Sequence, residues 1–312
     1  MPPIRDWNDP MDTLNAMATF VRAVDLGSLS AAARELRTTQ PTVSKAVAAL
    51  ERHVGVRLLE RSTARLSPTE EGRVFLDHAR RVLDLQAEAI DQARGHARAP
   101  TGQLRINAPL AIGQLRLNGW LLDFLKANTG VSAELILNDR FVDLAEEGMD
   151  VALRLGGSPP LHVVAREVGV SRRGVVASPA YLASAPRIRR PADLSRHEVL
   201  RFAWATSLDT LVLDGPRGAR ETVPVAGRYR VNSSMAIREG LLLGAGPGLA
   251  PDWLVQDLLD SGALVRVLPA WHAEPQRAWV MYPSLRYRPA RSRLLVDALC
   301  AAVPGWPGFR GV

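Results

Sequence analysis

Three helical patterns follow one another near the start of the chain, with only a few residues between them. The first runs from residue 11 to residue 24 with apolar residues three and four apart, and Gly27 stands where such a helix would end. A short helix is predicted over 31–36, capped by Ser28 or Ser30. A third is predicted to run to about residue 53, with Thr39 as its N-cap and Pro41 in its first turn. The last two helices have the proportions of a helix-turn-helix.

A predicted hairpin and a long helix come next. The hairpin has strands over 56–61 and 65–68 and a turn at 62–64, which together would form a wing. The helix is predicted from 69 to 94, and seven-residue recurrence keeps one of its faces apolar for several turns. Either the helix's own domain or a second copy must cover that face, and we favour a second copy because the helix stands between two structural units. The apolar face consists of two adjacent lines, Phe75, Val82 and Ala89, and Leu76, Leu83 and Ile90.

A different pattern begins after the loop at 95–102, which predicts a domain boundary there. Strands over 104–106, 133–137 and 151–155 alternate with helices over 115–128 and 142–147. This alternation predicts a parallel sheet with helices on both faces. Further strands are predicted at 174–177, 228–231, 264–267 and 278–282, and further helices at 179–184, 234–243, 251–261 and 291–302.

The charge distribution favours anionic partners. The net charge is +7, and 37 of the 39 basic residues are arginine. Residues 1–98 carry +1 and residues 99–312 carry +6, yet residues 28–66 hold seven basic residues against three acidic ones. Such local clustering indicates a nucleic-acid partner, because screening by salt limits the electrostatic reach of each charge to about 10 Å.

Other features limit where the chain acts. The single cysteine, Cys300, cannot form an internal disulfide. No stretch approaches the roughly 18 apolar residues of a membrane span, and the N-terminus has no apolar run typical of a signal peptide. We therefore expect a cytoplasmic protein without a membrane partner.

The motifs do not support an enzyme, a metal site or a cofactor. The six histidines are scattered singly, without metal-binding spacing. Residues 169–174 miss the serine-hydrolase elbow by one position. In the glycine-rich segment 244–249, Leu249 replaces the last glycine of a dinucleotide fingerprint, and Pro247 removes an N–H group. This segment is instead predicted to turn a helix end into a strand.

The start of the third helix carries the side chains best suited to read DNA. A helix fits the major groove, and its first turns face base edges. Gln40 can make a bidentate contact to adenine, and Lys45 can reach a guanine or a phosphate. The wing arginines are placed for phosphates or a minor groove. The predicted DNA contacts are Ser28, Ser30, Arg34, Arg37, Thr39, Gln40, Pro41, Thr42, Ser44, Lys45, Arg61 and Arg65.

These residues resemble a known family over most of the chain. The strings at 27–36, 39–45, 55–61 and 66–72 resemble the DNA-binding domain of LysR-type transcriptional regulators. The strings at 104–109, 150–156, 177–182 and 244–251 are similar to the effector domain of that family, and most of all to its CrgA-like subgroup.

The resemblance implies an α+β two-domain protein. Its parts would be a winged helix-turn-helix (11–68), a long linker and dimerisation helix (69–94) and a periplasmic-binding-protein-like α/β domain of two lobes (103–302). Lobe I would comprise 103–164 and 271–302, and lobe II 166–268, with crossings near 164–166 and 268–271. The implied function is sequence-specific binding of double-stranded promoter DNA, modulated by a small-molecule effector in the cleft between the lobes. Implied partners are RNA polymerase and further copies of the chain, as a homodimer or homotetramer.

The effector site is predicted from two helix starts and a cation. The loop at 109–113 leads into the helix predicted from 115, and residues 232–235 lead into the helix predicted from 234. The N–H groups at such helix starts can hold an anion, and the charge of this half favours an anionic effector. Many members of the family carry a hydroxyl residue where this chain has Leu110 and Ala111. Arg154 is either a cleft cation or the partner of Asp150 or Asp143. The predicted contacts are Pro109, Leu110, Ala111, Ile112, Asn138, Arg154, Asn232, Ser233 and Met235.

Two alternatives stay open at this point. Arg37 stands where the family usually has glycine, and a positive φ there would cost arginine about 1 kcal/mol. Either the turn has another conformation, or Arg37 adds a phosphate contact. The alternative function is a small-molecule-binding module whose DNA domain is non-specific.

Overall fold

The computed structural model describes residues 12–61, 66–93, 100–140, 143–144, 146–203, 209–284 and 288–312. Contacts divide the chain into two compact units, Met1–Ala99 (unit 1) and Pro100–Val312 (unit 2). Within the described ranges, no helix is both long enough and apolar enough to cross a membrane. The predicted wing turn at 62–64 and most of the predicted boundary loop lie outside these ranges.

Unit 1 consists of helices and a hairpin, as predicted. The hairpin strands pair antiparallel, with Leu59 opposite Pro68. The second helix starts earlier than predicted because Ser28 is its N-cap, whose side chain accepts the N–H of Ala31 at 3.3 Å. In chain order the elements are α1 (Thr13–Asp25), α2 (Leu29–Glu35), α3 (Gln40–Val54), β1 (Leu59–Arg61), β2 (Leu66–Pro68) and α4 (Glu70–Ala93).

The core of unit 1 reaches into the first half of α4. Phe20 of α1 and Leu50 of α3 are fully buried, and the Phe20 ring meets the Phe75 ring edge-on at 5.8 Å. Leu76 is buried in the same cluster, and Leu83 packs against it. Leu76 is therefore a core residue of unit 1 and does not face a second copy, whereas the half-buried Phe75 and Leu83 stay predicted contacts.

Unit 2 alternates strands and helices around one large sheet. Its elements are β3 (Gly102–Ala108), α5 (Leu110–Ile112), a π-helical turn (Gly113–Leu117), α6 (Asn118–Ala127), β4 (Val131–Leu137), β5 (Val151–Leu155), β6 (Val163–Ala177), α7 (Pro179–Ser184), a 3₁₀ turn (Pro191–Arg196), β7 (Arg201–Phe202), β8 (Thr210–Asp214), β9 (Arg220–Pro224), β10 (Arg230–Val231), α8 (Ser234–Leu242), β11 (Gly248–Pro251), α9 (Asp252–Asp260), β12 (Val265–Arg266), β13 (Ala273–Pro283) and α10 (Ala290–Ala302).

The large sheet is mixed, so the prediction of a parallel sheet is only partly right. Its strand order is β11-β6-β13-β5-β3-β4, with β12 paired to β6. Strand β3 runs parallel to β4 and β5, with Ile106 opposite both Leu135 and Val151. Strand β13 returns from a distant part of the chain and pairs antiparallel with both β5 and β6.

Strand β6 connects two groups of strands. Its residues between 163 and 173 pair with β13, and its residues 173–176 pair with β11. The crossing predicted near 164–166 lies in the part that pairs with β13, and its position stays a prediction. The division of the domain into lobes stays a prediction, supported by this change of partner.

Two predicted helices differ in the structure. The helix predicted from 115 begins at Leu110, directly after Pro109, and passes through the π-helical turn. Of the helix predicted over 142–147, the described residues 143–144 and 146–147 are irregular or form turns, and residues 142 and 145 lie outside the description. This segment buries Leu144 and Met149 against the sheet, and Arg105 donates to the Glu147 carbonyl at 3.0 Å.

Separate clusters of buried apolar side chains stabilise unit 2, among them the cluster around Leu144 and Met149. The main core lies along the sheet and includes Leu104, Leu153 and Leu295, all fully buried. A smaller cluster, the minor core, underlies the β8–β9 hairpin and the 3₁₀ turn Pro191–Arg196. Its buried members are Val175, Leu194, Val199, Leu213, Val223, Val225, Leu268 and Ala273.

Candidate nucleic-acid interface and effector site

The first turns of α3 present polar side chains on a capped helix. Thr39 Oγ1 accepts the Thr42 N–H at 3.4 Å and is hydrogen-bonded to Thr42 Oγ1 at 2.8 Å. Val43 and Leu50 face the core, so the opposite face is free for contacts. The exposed residues at this helix start are Thr39, Gln40, Pro41, Thr42 and Lys45, while Ser44 is half-buried.

The remaining predicted DNA contacts fall into two groups. Ser30 and Arg34 of α2 are exposed, whereas Ser28 is half-buried in its capping role. The backbone of Arg61 lies in β1. Arg65 lies outside the described residues. The predicted contacts of α2 and of the start of α3 are therefore mostly exposed, while the contact from Arg65 stays a prediction.

Arg37 has a φ of 52°, in the left-handed region. Its N–H donates to the Arg34 carbonyl at 3.2 Å, and the Thr38 N–H donates to the Ala33 carbonyl at 2.9 Å, which closes the end of α2. The turn thus needs the conformation that usually favours glycine, and the alternative of a different turn is wrong. The arginine costs about 1 kcal/mol there, and its side chain is exposed.

Glu51, to which no sequence motif gives a role, links α3 to the wing. Its Oε1 accepts the N–H groups of Leu58 at 2.9 Å and Leu59 at 3.1 Å. Thr69 Oγ1 donates to the Arg57 carbonyl at 2.7 Å on the other side of the same segment. A glutamate four residues before Gly55 was the only sequence signal for this contact.

The second half of α4 carries an exposed apolar stripe. Val82, Leu85 and Ile90 are 42%, 45% and 40% exposed, and Ala89 is exposed as well. Residues 82, 85 and 89 are three and four apart, so they share one helix face. Of the predicted dimerisation face, Val82, Ala89 and Ile90 are exposed, and Leu85, which was not predicted, adds to them.

The predicted effector loop in unit 2 is largely occupied by the protein itself. The Leu110 N–H donates to Asp139 Oδ1 at 3.1 Å, so a carboxylate of the chain already takes the anion position at this helix start. Ala111 and Ile112 are 4% and 0% exposed in the main core. Their prediction as effector contacts is wrong, because they are core residues. Pro109 and Leu110 are half-buried.

Arg154 is a buried cation at the carboxyl end of β5. It is 6% exposed, and its guanidinium donates to the Leu153 carbonyl at 3.4 Å and to the Arg140 carbonyl at 3.3 Å. Burial lowers the pKa of Arg154 to about 10, while the charges of Asp139 and Glu147 act in the opposite direction. The side chain therefore stays charged at neutral pH.

Two unsatisfied polar atoms lie at the same end of the sheet. Trp279 of β13 is paired with Arg154 in the strand register, and its Nε1 is buried without a hydrogen-bond partner among the described residues. Asn138 follows β4; its N–H donates to the Ala108 carbonyl at 3.0 Å, and its Oδ1 is likewise buried and unpaired in this part of the structure. No local sequence pattern indicates that Trp279 lies at this site, since only the long-range pairing of β13 brings it here.

The predicted residues at the start of α8 have separate roles. Ser233 is the N-cap, and its Oγ accepts the Ala236 N–H at 3.3 Å. Met235 packs against the main core, and Asn232 is exposed. Asn232 is therefore the residue of this group whose side chain is most accessible to a ligand.

The sequence and the structure are similar to known regulators. Residues 14–73 match the family model for bacterial regulatory helix-turn-helix proteins of the lysR family, and residues 97–303 match the LysR substrate binding domain. The chain is 31% identical over 286 residues to the HTH-type transcriptional regulator PtxR of Pseudomonas aeruginosa, covering 92% of this chain and 91% of that protein.

The chain is also similar to solved structures of regulators. CrgA from Neisseria meningitidis is similar with a TM-score of 0.59 and 28% identity, covering 92% of this chain and 97% of that chain. AphB from Vibrio cholerae is similar with a TM-score of 0.58 and 26% identity, covering 92% and 98%. A helix-turn-helix unit followed by an effector-binding unit is the organisation of a transcriptional regulator and not of an enzyme. The chain therefore belongs to the LysR family of transcriptional regulators.

Proposed function

We propose that this LysR-family regulator binds promoter DNA as a homodimer or homotetramer, and that a small anionic effector in unit 2 changes this binding. RNA polymerase is the proposed partner through which promoter occupancy alters transcription, in the bacterial cytoplasm where the promoter lies. The four matching strings of the effector domain support a place in the CrgA-like subgroup. The observation that carries the proposal is the capped, outward-facing polar start of α3.

Base recognition is assigned to the exposed first turn of α3. Gln40 is the first residue of the helix, and the Thr39 cap fixes the direction in which the chain enters it. A bidentate glutamine contact to adenine discriminates by about 1–3 kcal/mol. The exposed Arg34, Arg37 and Lys45 supply charges for phosphates, which set affinity and orientation rather than sequence preference.

Oligomerisation is assigned to the exposed stripe of α4. Three large apolar side chains that stay about two-fifths exposed on one helix favour contact with another apolar surface. The same stripe on a second copy supplies that surface at matching positions, which gives a two-fold contact. Two DNA-binding units would then read two half-sites of one promoter.

Effector recognition is assigned to the carboxyl ends of β4 and β5. Arg154 supplies positive charge, Asn138 Oδ1 an acceptor and Trp279 Nε1 a donor, and the last two are buried and unsatisfied in the described structure. A buried polar group without a partner is costly, so a ligand that pairs with both groups gains affinity. This donor set suits a small molecule with an anionic group and one further polar group.

The test is fluorescence anisotropy with the duplex upstream of the protein's own gene. A scrambled duplex of equal length is titrated beside it, at two salt concentrations. Tighter binding to the upstream duplex at both salts is expected, because base contacts persist when phosphate contacts are screened. Gln40→Ala should reduce this preference more than it reduces binding to the scrambled duplex. Equal binding to both duplexes, weakened to the same extent by salt, would instead support the alternative function, a small-molecule-binding module whose DNA domain is non-specific.

A further inference from the structure

The positive charge of the second half of the chain is concentrated in one segment of unit 2. Residues 187–230 contain nine arginines against five acidic residues, and so contribute +4 of the +6 carried by residues 99–312. The helix-turn-helix lies in unit 1, so operator recognition by α3 does not account for this charge. It indicates a second surface of the chain that binds an anionic partner.

Five of these arginines have no carboxylate partner among the described residues. Arg190, Arg220 and Arg228 pair with Asp193, Asp214 and Glu198 at 3.6, 3.6 and 3.7 Å, and Arg201 pairs with Asp209 at 2.8 Å. The other five side chains are exposed and form no ion pair or hydrogen bond with any residue that the structure describes. One of them, Arg230, lies in β10, and the other four precede it in the chain. We name these four the arginine face: Arg187, Arg189, Arg196 and Arg217.

The arginine face is carried by elements that share the minor core. Arg187 and Arg189 flank Ile188, which packs against that core, and Arg196 ends the 3₁₀ turn whose Leu194 is fully buried in it. Arg217 lies in the turn of the β8–β9 hairpin, and this hairpin contacts the 3₁₀ turn through β9. Packed elements thus hold the backbone of the face in place while its guanidinium groups stay in water.

The chemistry of the face favours a polyanion over a small ligand. Exposed guanidinium groups in water hold a single small anion weakly, whereas a chain of phosphates gains affinity from the counterions that several contacts release. Arginine matches phosphate geometry with two parallel N–H donors.

A duplex also fits the face better than an acidic protein does. Protein interfaces depend on apolar or aromatic anchors. Among the described residues of 187–230, Tyr229 is the one large apolar side chain counted as exposed. The duplex held by unit 1 is a polyanion already present at high local concentration.

We propose that the arginine face binds backbone phosphates of the same DNA duplex, outside the bases that α3 reads. The contact carries no sequence preference, and it lengthens the DNA that one regulator covers. The inference rests on the proposed operator binding, and the test separates the two by duplex length.

The experiment compares full-length protein on two duplexes centred on the upstream site. The short duplex has about 20 base pairs, enough for two half-sites one helical turn apart. The long one has roughly 60 base pairs, about 200 Å. Wild-type protein is expected to bind the long duplex more tightly and with a steeper salt dependence. The triple variant R187Q/R189Q/R196Q should make the log–log salt slope on the long duplex shallower by about 2.7, at about 0.9 per lost phosphate contact. Its binding to the short duplex should not change.

Two further variants make the result specific. R140Q/R166Q/R310Q removes the same charge from exposed arginines elsewhere in unit 2 and should leave the long-duplex slope unchanged. R187K/R189K/R196K keeps the charge and should keep most of the slope. Equal wild-type affinity for the two duplexes would overturn the proposed role of the arginine face, and this is the result expected if the face binds an acidic protein. Equal losses of salt slope in the two glutamine variants would overturn it as well. Failure to prefer the operator sequence on the short duplex would instead overturn base reading by α3.

Discussion

Glu51 of α3 accepts the backbone N–H of Leu58 at 2.9 Å, and Leu58 is fully buried immediately before the first wing strand. The same oxygen accepts the N–H of Leu59, where β1 begins. Hydrogen bonds from N–H groups to a carboxylate are stronger than those between neutral groups. One side chain on α3 therefore fixes where the wing starts, so the phosphate contacts proposed for the wing depend on it.

Replacing Glu51 tests this link between helix and wing. Glu51→Ala leaves two N–H groups without their acceptor and should lower the free energy of unfolding of unit 1 by about 1–3 kcal/mol. DNA binding should weaken to a similar extent on operator and scrambled duplexes, because the wing is proposed to contact phosphates. Glu51→Gln keeps an acceptor oxygen and should show a smaller loss. Denaturant unfolding and anisotropy measure the two effects, and a wild-type result for Glu51→Ala in both would refute the link.

Arg37 offers a test in which stability and DNA binding move in opposite directions. Its φ of 52° is strained for arginine, so Arg37→Gly should stabilise unit 1 by about 1 kcal/mol. If the side chain contacts a phosphate, the same change should weaken DNA binding and make the salt slope shallower by about 0.9. Arg37→Ala is the matched control, since it loses the charge but keeps the strain. A salt slope equal to that of wild type in both variants would show that Arg37 is only a turn residue.

The local structure of unit 1 could be predicted from sequence because its signals are local. Thr39 accepts the Thr42 N–H as a cap, and Gly27 has a φ of 60° at the end of α1. Arg37 shows the limit of prediction from local sequence signals. It has a glycine-like conformation without being glycine, and its residue type alone could not distinguish a strained turn from a different one.

The arrangement of unit 2 depends on contacts between distant residues. Ala278 of β13 pairs with Leu155 of β5, and no local pattern announces that pairing. The same pairing brings Trp279 beside Arg154 and so creates part of the candidate effector site. Local patterns also do not show that the loop before a predicted helix is buried, as it is at Ala111 and Ile112.

The apolar faces of α4 show the same limit and lead to a prediction. Seven-residue spacing identified an apolar face, but it could not show that α1 covers Leu76 while Val82 stays exposed. Val82→Asp and Leu85→Asp should each halve the molecular mass measured by light scattering, because a charge then enters the proposed seam. The free energy of unfolding of unit 1 should not decrease.

Leu76→Asp is the control for this prediction. Leu76 is 8% exposed in the unit's own core, so the change should unfold unit 1 rather than separate two copies. An unchanged mass for both Val82→Asp and Leu85→Asp would show that another surface holds the copies together.

His197 should make the free energy of unfolding of unit 2 depend on pH, and the surroundings of its ring determine the sign. The ring is 5% exposed, its Nδ1 is hydrogen-bonded to the Tyr181 hydroxyl at 2.6 Å, and its Nε2 is buried without a partner among the described residues. Burial lowers the pKa of His197, against a smaller opposing effect of the Asp193 charge. Burial also raises the pKa of Tyr181, so its hydroxyl stays protonated at neutral pH.

Lowering the pH should therefore destabilise unit 2. In the unfolded chain this histidine binds a proton near pH 6.5, while the folded state binds it only at lower pH. Between these two values the unfolded state holds more protons, so the free energy of unfolding falls as the pH drops from about 7 toward about 5. His197→Gln keeps a hydrogen-bonding side chain beside Tyr181 but removes the titration, and its unfolding should depend less on pH. Urea unfolding at several pH values measures both proteins, and equal pH dependence in wild type and His197→Gln would show that His197 is not the group responsible.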